Sequence, residues 1–96
     1  MTKPMLYVDF NEMLEPNLVL LSATDTKTAS NGTTVSLRDG LEVSVYMDDT
    51  DEHGHPDNLV ATGVVEANQS TGWGAHVKWC CRIDANGIHH QSKLRR

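Results

Sequence analysis

The sequence predicts an all-β fold: one small antiparallel barrel of five to six short strands, with a short N-terminal helix or turn. Three observations carry that reading. Polar and apolar residues alternate along Leu41–Asp48 and again along His76–Asp84, the period of a strand with one wet face. Tight-turn signals, Asn31-Gly32, Asp39-Gly40 and Asn86-Gly87, separate the short runs. No long amphipathic helical pattern intervenes, and strands joined by short turns pair antiparallel.

The elements follow in chain order. Phe10, Met13 and Leu14 recur at helical spacing, with Asp9 as N-cap and Glu12 three residues on. This predicts a short helix over Asp9–Glu15 that Pro16 stops. Asn17–Ser22 is an apolar run of strand length. Ala23–Gly32 is rich in Thr, Ser, Asp and Asn and reads as loop and turn, followed by the alternating Thr33–Leu37. In Leu41–Asp48 the residues Leu41, Val43, Val45 and Met47 share the buried face, and Glu42, Ser44 and Tyr46 the wet one. Asp49–Asn58 is an acidic loop. Leu59–Ala67 is a second strand whose Gly63 marks a bulge or a close approach of two backbones. Asn68–Ala75 is a turn region. In His76–Asp84, Val77, Trp79, Cys81 and Ile83 face the core, whereas His76, Lys78, Cys80 and Arg82 face water or a partner. Ile88–Gln91 is a last short strand.

Length and charge narrow the classes. With 96 residues, 39% of them apolar, the chain forms a single domain, 1–96, with no room for a second core. Residues 1–16 are expected to pack on the barrel as an N-terminal extension, and 92–96 to be a flexible basic tail. The longest apolar runs, such as Leu18–Leu21, are far shorter than the ~20 residues of a membrane helix. No basic segment leads into a long apolar one, and the two adjacent cysteines cannot staple the fold across a loop, which predicts a cytoplasmic setting. The net charge is -5, and no Lys or Arg occurs between Asp39 and Val77. Such a surface repels nucleic acid, which binding proteins meet with clustered cations.

The run Gly63-Val64-Val65-Glu66, a glycine-bearing turn and His76-Val77-Lys78-Trp79 is similar to hairpins of Tudor-like and related SH3-like barrels. The resemblance covers about a quarter of the chain. It implies an SH3-like barrel, with an OB-like barrel as the alternative. The five aromatic residues in the chain are too few for the aromatic cage that methylated side chains require, so the resemblance implies fold and not ligand.

For function the sequence supports a protein-binding or regulatory module. Trp73, between Gly72 and Gly74, is placed to anchor a partner, unless it folds back to cap the barrel. His76, Lys78 and Arg82 on one strand face, with Tyr46 and Glu42 on the wet face of its neighbour, complete the expected contacts with a protein partner. A homodimer through a strand edge, Leu41–Asp48 or the C-terminal strand, is a further expectation. The alternative is a zinc or calcium site in the loop containing Asp49, Asp51, His53, His55 and Asp57. Its acids and Gly54 echo an oxygen-rich calcium loop, but Val60 stands where the bidentate Glu belongs. No catalytic motif appears, so the chain is read as a non-enzyme without cofactor. A thiolate at Cys80, favoured by Lys78 and Arg82, or a reactive His76 is the route by which an enzyme would arise.

Overall fold

A computed structural model describes residues 5–94; residues 1–4 and the last two of the expected basic tail, Arg95 and Arg96, lie outside the described residues. The fold is β throughout. Its strands are β1 (Met5–Tyr7), β2 (Met13–Glu15), β3 (Leu18–Ser22), β4 (Thr26–Thr28), β5 (Thr34–Ser36), β6 (Glu42–Met47), β7 (Leu59–Ala67), β8 (Trp79–Ile83) and β9 (His89–His90), followed by a 3-10 turn at Gln91–Leu94. Among the described residues no helix is long and apolar enough to cross a membrane.

β7 is the spine. Along one edge it pairs antiparallel with β6, from Met47↔Leu59 to Glu42↔Val64. Along the other it pairs first with β9 and then with β8. The main sheet runs β1-β6-β7-β8-β3-β2, with β9 beside β7, and β4 and β5 form a separate hairpin. That hairpin turns at the expected Asn31-Gly32, where Gly32 has φ 86°. Its first strand, β4, lies in the segment expected to be loop, and its second, β5, in the alternating Thr33–Leu37.

Several expectations change here. β1 and β2 end the sheet and do not pair with each other, so no closed barrel forms, SH3-like or OB-like. The sheet is mixed, because β1 lies parallel to β6. The edge of β6 left free by β7 accepts it, and Leu6 is thereby buried opposite Val45. Over Ser44–Tyr46, β6 therefore has neighbours on both sides. The helix expected over Asp9–Glu15 is a turn followed by β2. Asp9 Oδ1 accepts the Asn11 amide at 2.9 Å, and the Glu12 carbonyl accepts the Leu20 amide at 3.1 Å, which lays the segment along β3. Met13 and Leu14 then go to opposite sides, Met13 to the main core and Leu14 to a second cluster. The spacing that resembled a helix divides one strand between two apolar faces.

The main core gathers Leu6, Val19, Val45, Val65 and Cys81, all fully buried, with Leu21, Val43, Ala61 and Ile83 around them. This is the inward face predicted for β6 and β8. The other face of the sheet is covered at one end only, where Leu18, Leu20 and Cys80 are buried under Leu14 and Val77. Cys80, expected to face water, is therefore fully buried. Residues 76–78 precede β8 rather than forming part of it, and Val77 packs on this second cluster. Each buried Val or Leu contributes about 1.5–3 kcal/mol, so two small cores on opposite sides of β3 and β8 dominate the stability of a chain with few large apolar groups.

The close approach predicted at Gly63 is real. A Cβ there would lie 2.8 Å from Cys81 Sγ and closer still to the Arg82 carbonyl oxygen. Gly63→Ala must therefore push β8 away from β7, and we expect it to lose at least about 2 kcal/mol in urea unfolding. Ala at the neighbouring exposed Val64 should change stability far less.

Candidate functional site

The connection between β7 and β8 is a stiff loop. The Asn68 amide donates to the Lys78 carbonyl at 3.0 Å and closes its base. Asn68 Nδ2 donates to the carbonyls of Gly74 (2.9 Å) and Val77 (2.8 Å), and its Oδ1 accepts the Ser70 amide at 2.9 Å. Two inner turns, Ala75 to Gly72 and Val77 to Gly74, add backbone bonds. Gly74 has φ 83°, and a Cβ on it would press on Leu14 and Leu20 at 3.2–3.3 Å. The chain thus sits down on the second cluster at Gly74, and the side chain just before it, Trp73, stands out 62% exposed. It does not fold back to cap the sheet.

The expected contact residues divide into two groups. Trp73 and His76 share the loop, both exposed, with Lys78 at its base. Lys78 Nζ lies 2.6 Å from Asp25 Oδ1, and Trp79 Nε1 donates to the same oxygen at 3.1 Å. These two donors hold the Asp25 carboxyl below its ordinary range. Lys78 also lies 5.8 Å from the Trp79 ring centroid, so this cation is already engaged. Arg82 is engaged more completely. Its guanidinium grips Glu66 through two bonds of 3.2 and 2.8 Å, and reaches Glu15 Oε1 at 2.8 Å and Asn17 Oδ1 at 3.1 Å. Those carboxylates raise its pKa further. It ties β8 to β7 and β2.

Glu42 and Arg82 do share a face. The register runs Glu42–Val64–Arg82–Leu18–Glu15 straight across the sheet. Tyr46 is further along this face, edge-on to Tyr7 with ring centroids 5.5 Å apart. Asn68, which braces the loop, was missed as a functional residue, although an Asn heading a turn is a recognisable signal. Lys27 and Glu12 border a groove beside His76; nothing local in the sequence marks them.

The acidic loop has a different task from the metal site considered above. Among the described residues no three His, Cys, Asp or Glu side chains are placed to hold a metal ion. Asp51 Oδ1 accepts the amides of His53 (2.8 Å) and His55 (2.9 Å), which leaves both imidazoles exposed. Asp49 Oδ2 lies 3.0 Å from His90 Nε2, and Asp57 takes the Ser92 amide and hydroxyl, each at 2.9 Å. Asp49 and Asp57 therefore clasp the C-terminal segment, and hydrogen bonds, first from the Thr50 and Ser92 amides, hold their pKa values down. The two thiols are no more available for chemistry. Burial pushes Cys80 up and Cys81 up to about 12, against the thiolate that a nucleophile requires.

Two tests follow. Thiol reagents should label folded protein far more slowly than a free cysteine peptide, with the rate recovering in denaturant; labelling at the free-thiol rate would contradict the burial of both sulfurs. Asp25, Asp49 and Asp57 have depressed pKa values when folded, so their stabilisation is present above about pH 4 and disappears as pH falls toward the folded values. The melting temperature should drop over that acid range, and less steeply in Asp57→Asn. Compared with known protein families, curated proteins and solved structures, the chain matches none of them.

Proposed function

We propose that the chain is a small protein-binding module whose anchor is Trp73. The observation that carries the reading is a tryptophan 62% exposed on a loop fixed at its base, its middle and its contact with the sheet. A large side chain in water gains most when a partner buries it, and tryptophan is enriched among residues that dominate interfaces. The bracing reduces the ordering cost that a loose loop would incur on binding. His76 extends the contact along the same loop. Lys78 and Arg82 support it from below, since their charges are held by Asp25, Glu15 and Glu66. Glu42 and Tyr46 lie further out on the sheet and form a secondary contact area. A cytoplasmic setting is part of the same proposal, supported by two cysteines that are free thiols.

Trp73→Ala tests it. Truncation of so exposed a side chain should leave unfolding free energy within about 0.5 kcal/mol of the parent. Immobilised Trp73→Ala protein should meanwhile lose proteins that the parent and an Ile88→Ala control both retain. Unfolding of the variant, or an unchanged set of retained proteins, would remove the anchor.

A further inference from the structure

The second face of the sheet is open beyond its apolar cover, and a groove of about 520 Å³ lies there. The row Met5–Ser44–Thr62 crosses it in register, with Val60, Asn86 and His89 beside it. Among the described residues neither hydroxyl of the row bonds to another group of the chain. No Asp, Glu, Lys or Arg lines this groove. Two grooves of similar size are charged, one around Arg82 and Glu66 and the other around Asp51 and Asp57.

Trp73 has the complementary character. The segment 68–77 contains no Asp, Glu, Lys or Arg, and Gly72 and Gly74 put no side chain beside the indole to bar its entry into a cleft. The indole cannot reach the groove of its own chain. Val60 and Thr62 lie toward the start of β7, and the loop leaves from its end at Ala67. At about 3.3 Å per residue, Val60 is roughly 23 Å from Ala67. Gly74 moreover seats the loop on Leu14 and Leu20.

We propose that the groove receives Trp73 of a second copy of this chain. The proposal rests on the reading of Trp73 as the anchor and names the partner. Cavities of about 300–1,000 Å³ hold small-molecule ligands, and an indole is smaller than most of those. Inside, it meets the Met5 thioether, a group that packs well against aromatic rings, and the Ser44 or Thr62 hydroxyl accepts its N–H. Both surfaces are neutral, so no ion is stripped of water without a partner. Indole and groove are different patches, so each copy both gives and receives. The chains repel through a net charge of -5 each, whereas the contact itself is neutral. Added salt therefore screens the repulsion and strengthens association.

Sedimentation of the full chain over the micromolar to millimolar range tests this. The mean mass of the parent should rise above the monomer, and rise further in salt. Trp73→Ala should weaken association about tenfold or more. Thr62→Arg and Asn86→Arg, which put a cation into the groove, should do the same. Asn86 is exposed, so its variant reports even if Thr62→Arg does not fold. Trp73→Ala mixed with a groove variant should form pairs where neither does alone, since one chain keeps the groove and the other the indole. In nuclear magnetic resonance spectra the Trp73 indole N–H and the amides of Ser44 and Thr62 should shift together with concentration. A parent that stays monomeric, a mixture that stays monomeric, unchanged association of Trp73→Ala, or shifts confined to strand edges overturns the contact between copies. If the parent stays monomeric while Trp73→Ala loses foreign proteins that the parent retains, the anchor stands and only the second copy falls. If Trp73→Ala associates as the parent does and keeps every foreign protein, both readings fall.

Discussion

The contact between β7 and β8 at Gly63 is the constraint on which the rest depends. There β8 passes so near β7 that any side chain at that position would strike the Arg82 carbonyl and Cys81 Sγ. The tight pairing fixes the register Gly63↔Ile83 and Val65↔Cys81. That register sends Cys81 and Ile83 into the main core and leaves Cys80 and Arg82 on the opposite face. A slip of one residue would exchange these sets, burying an arginine among valines and exposing two apolar groups. β7 transmits the same register to β6 on its other edge, and through β6 to the parallel β1.

Because the sheet stays open, its second face needs its own cover, and it receives one only at the end where β3 and β8 meet the loop. Leu14, Leu18, Leu20, Cys80 and Val77 form that cover. Next to it Arg82 draws Glu15 and Glu66 together across three strands. Surface ion pairs are each worth about 0–1 kcal/mol, so this trio does less to hold the sheet than the apolar contacts beside it. Its effect is geometric: it links β8 to β7 and to the edge strand β2.

The same cover is what makes Trp73 conspicuous. Gly74 has no side chain and a left-handed backbone, so the loop can rest directly on Leu14 and Leu20. The chain must enter and leave this contact within a few residues, and Asn68 bridges the two legs. With its neighbour seated on the sheet, Trp73 has no route back to the apolar clusters. A stiff support beneath an exposed aromatic side chain is an arrangement suited to recognition, since little order remains to be imposed when a partner arrives.

The alternation in Leu41–Asp48 and in the middle of His76–Asp84 was enough to place Val43, Val45, Cys81 and Ile83 inside, because a strand has only two faces and oil occupied one of them. Asn31-Gly32 and Gly63 were legible for a related reason: each reports a backbone condition that acts locally. The buried state of Cys80, the parallel seat of β1 and the conversion of the expected helix into β2 depended on which distant segments arrived to cover a face or take an edge. Likewise the acids of 49–57 resembled metal ligands in sequence, and only folding delivered His90 and Ser92 to two of them. Period and turn chemistry are properties of neighbouring residues, whereas cover, edge and charge partner are supplied by residues far along the chain, and local pattern carries no record of them.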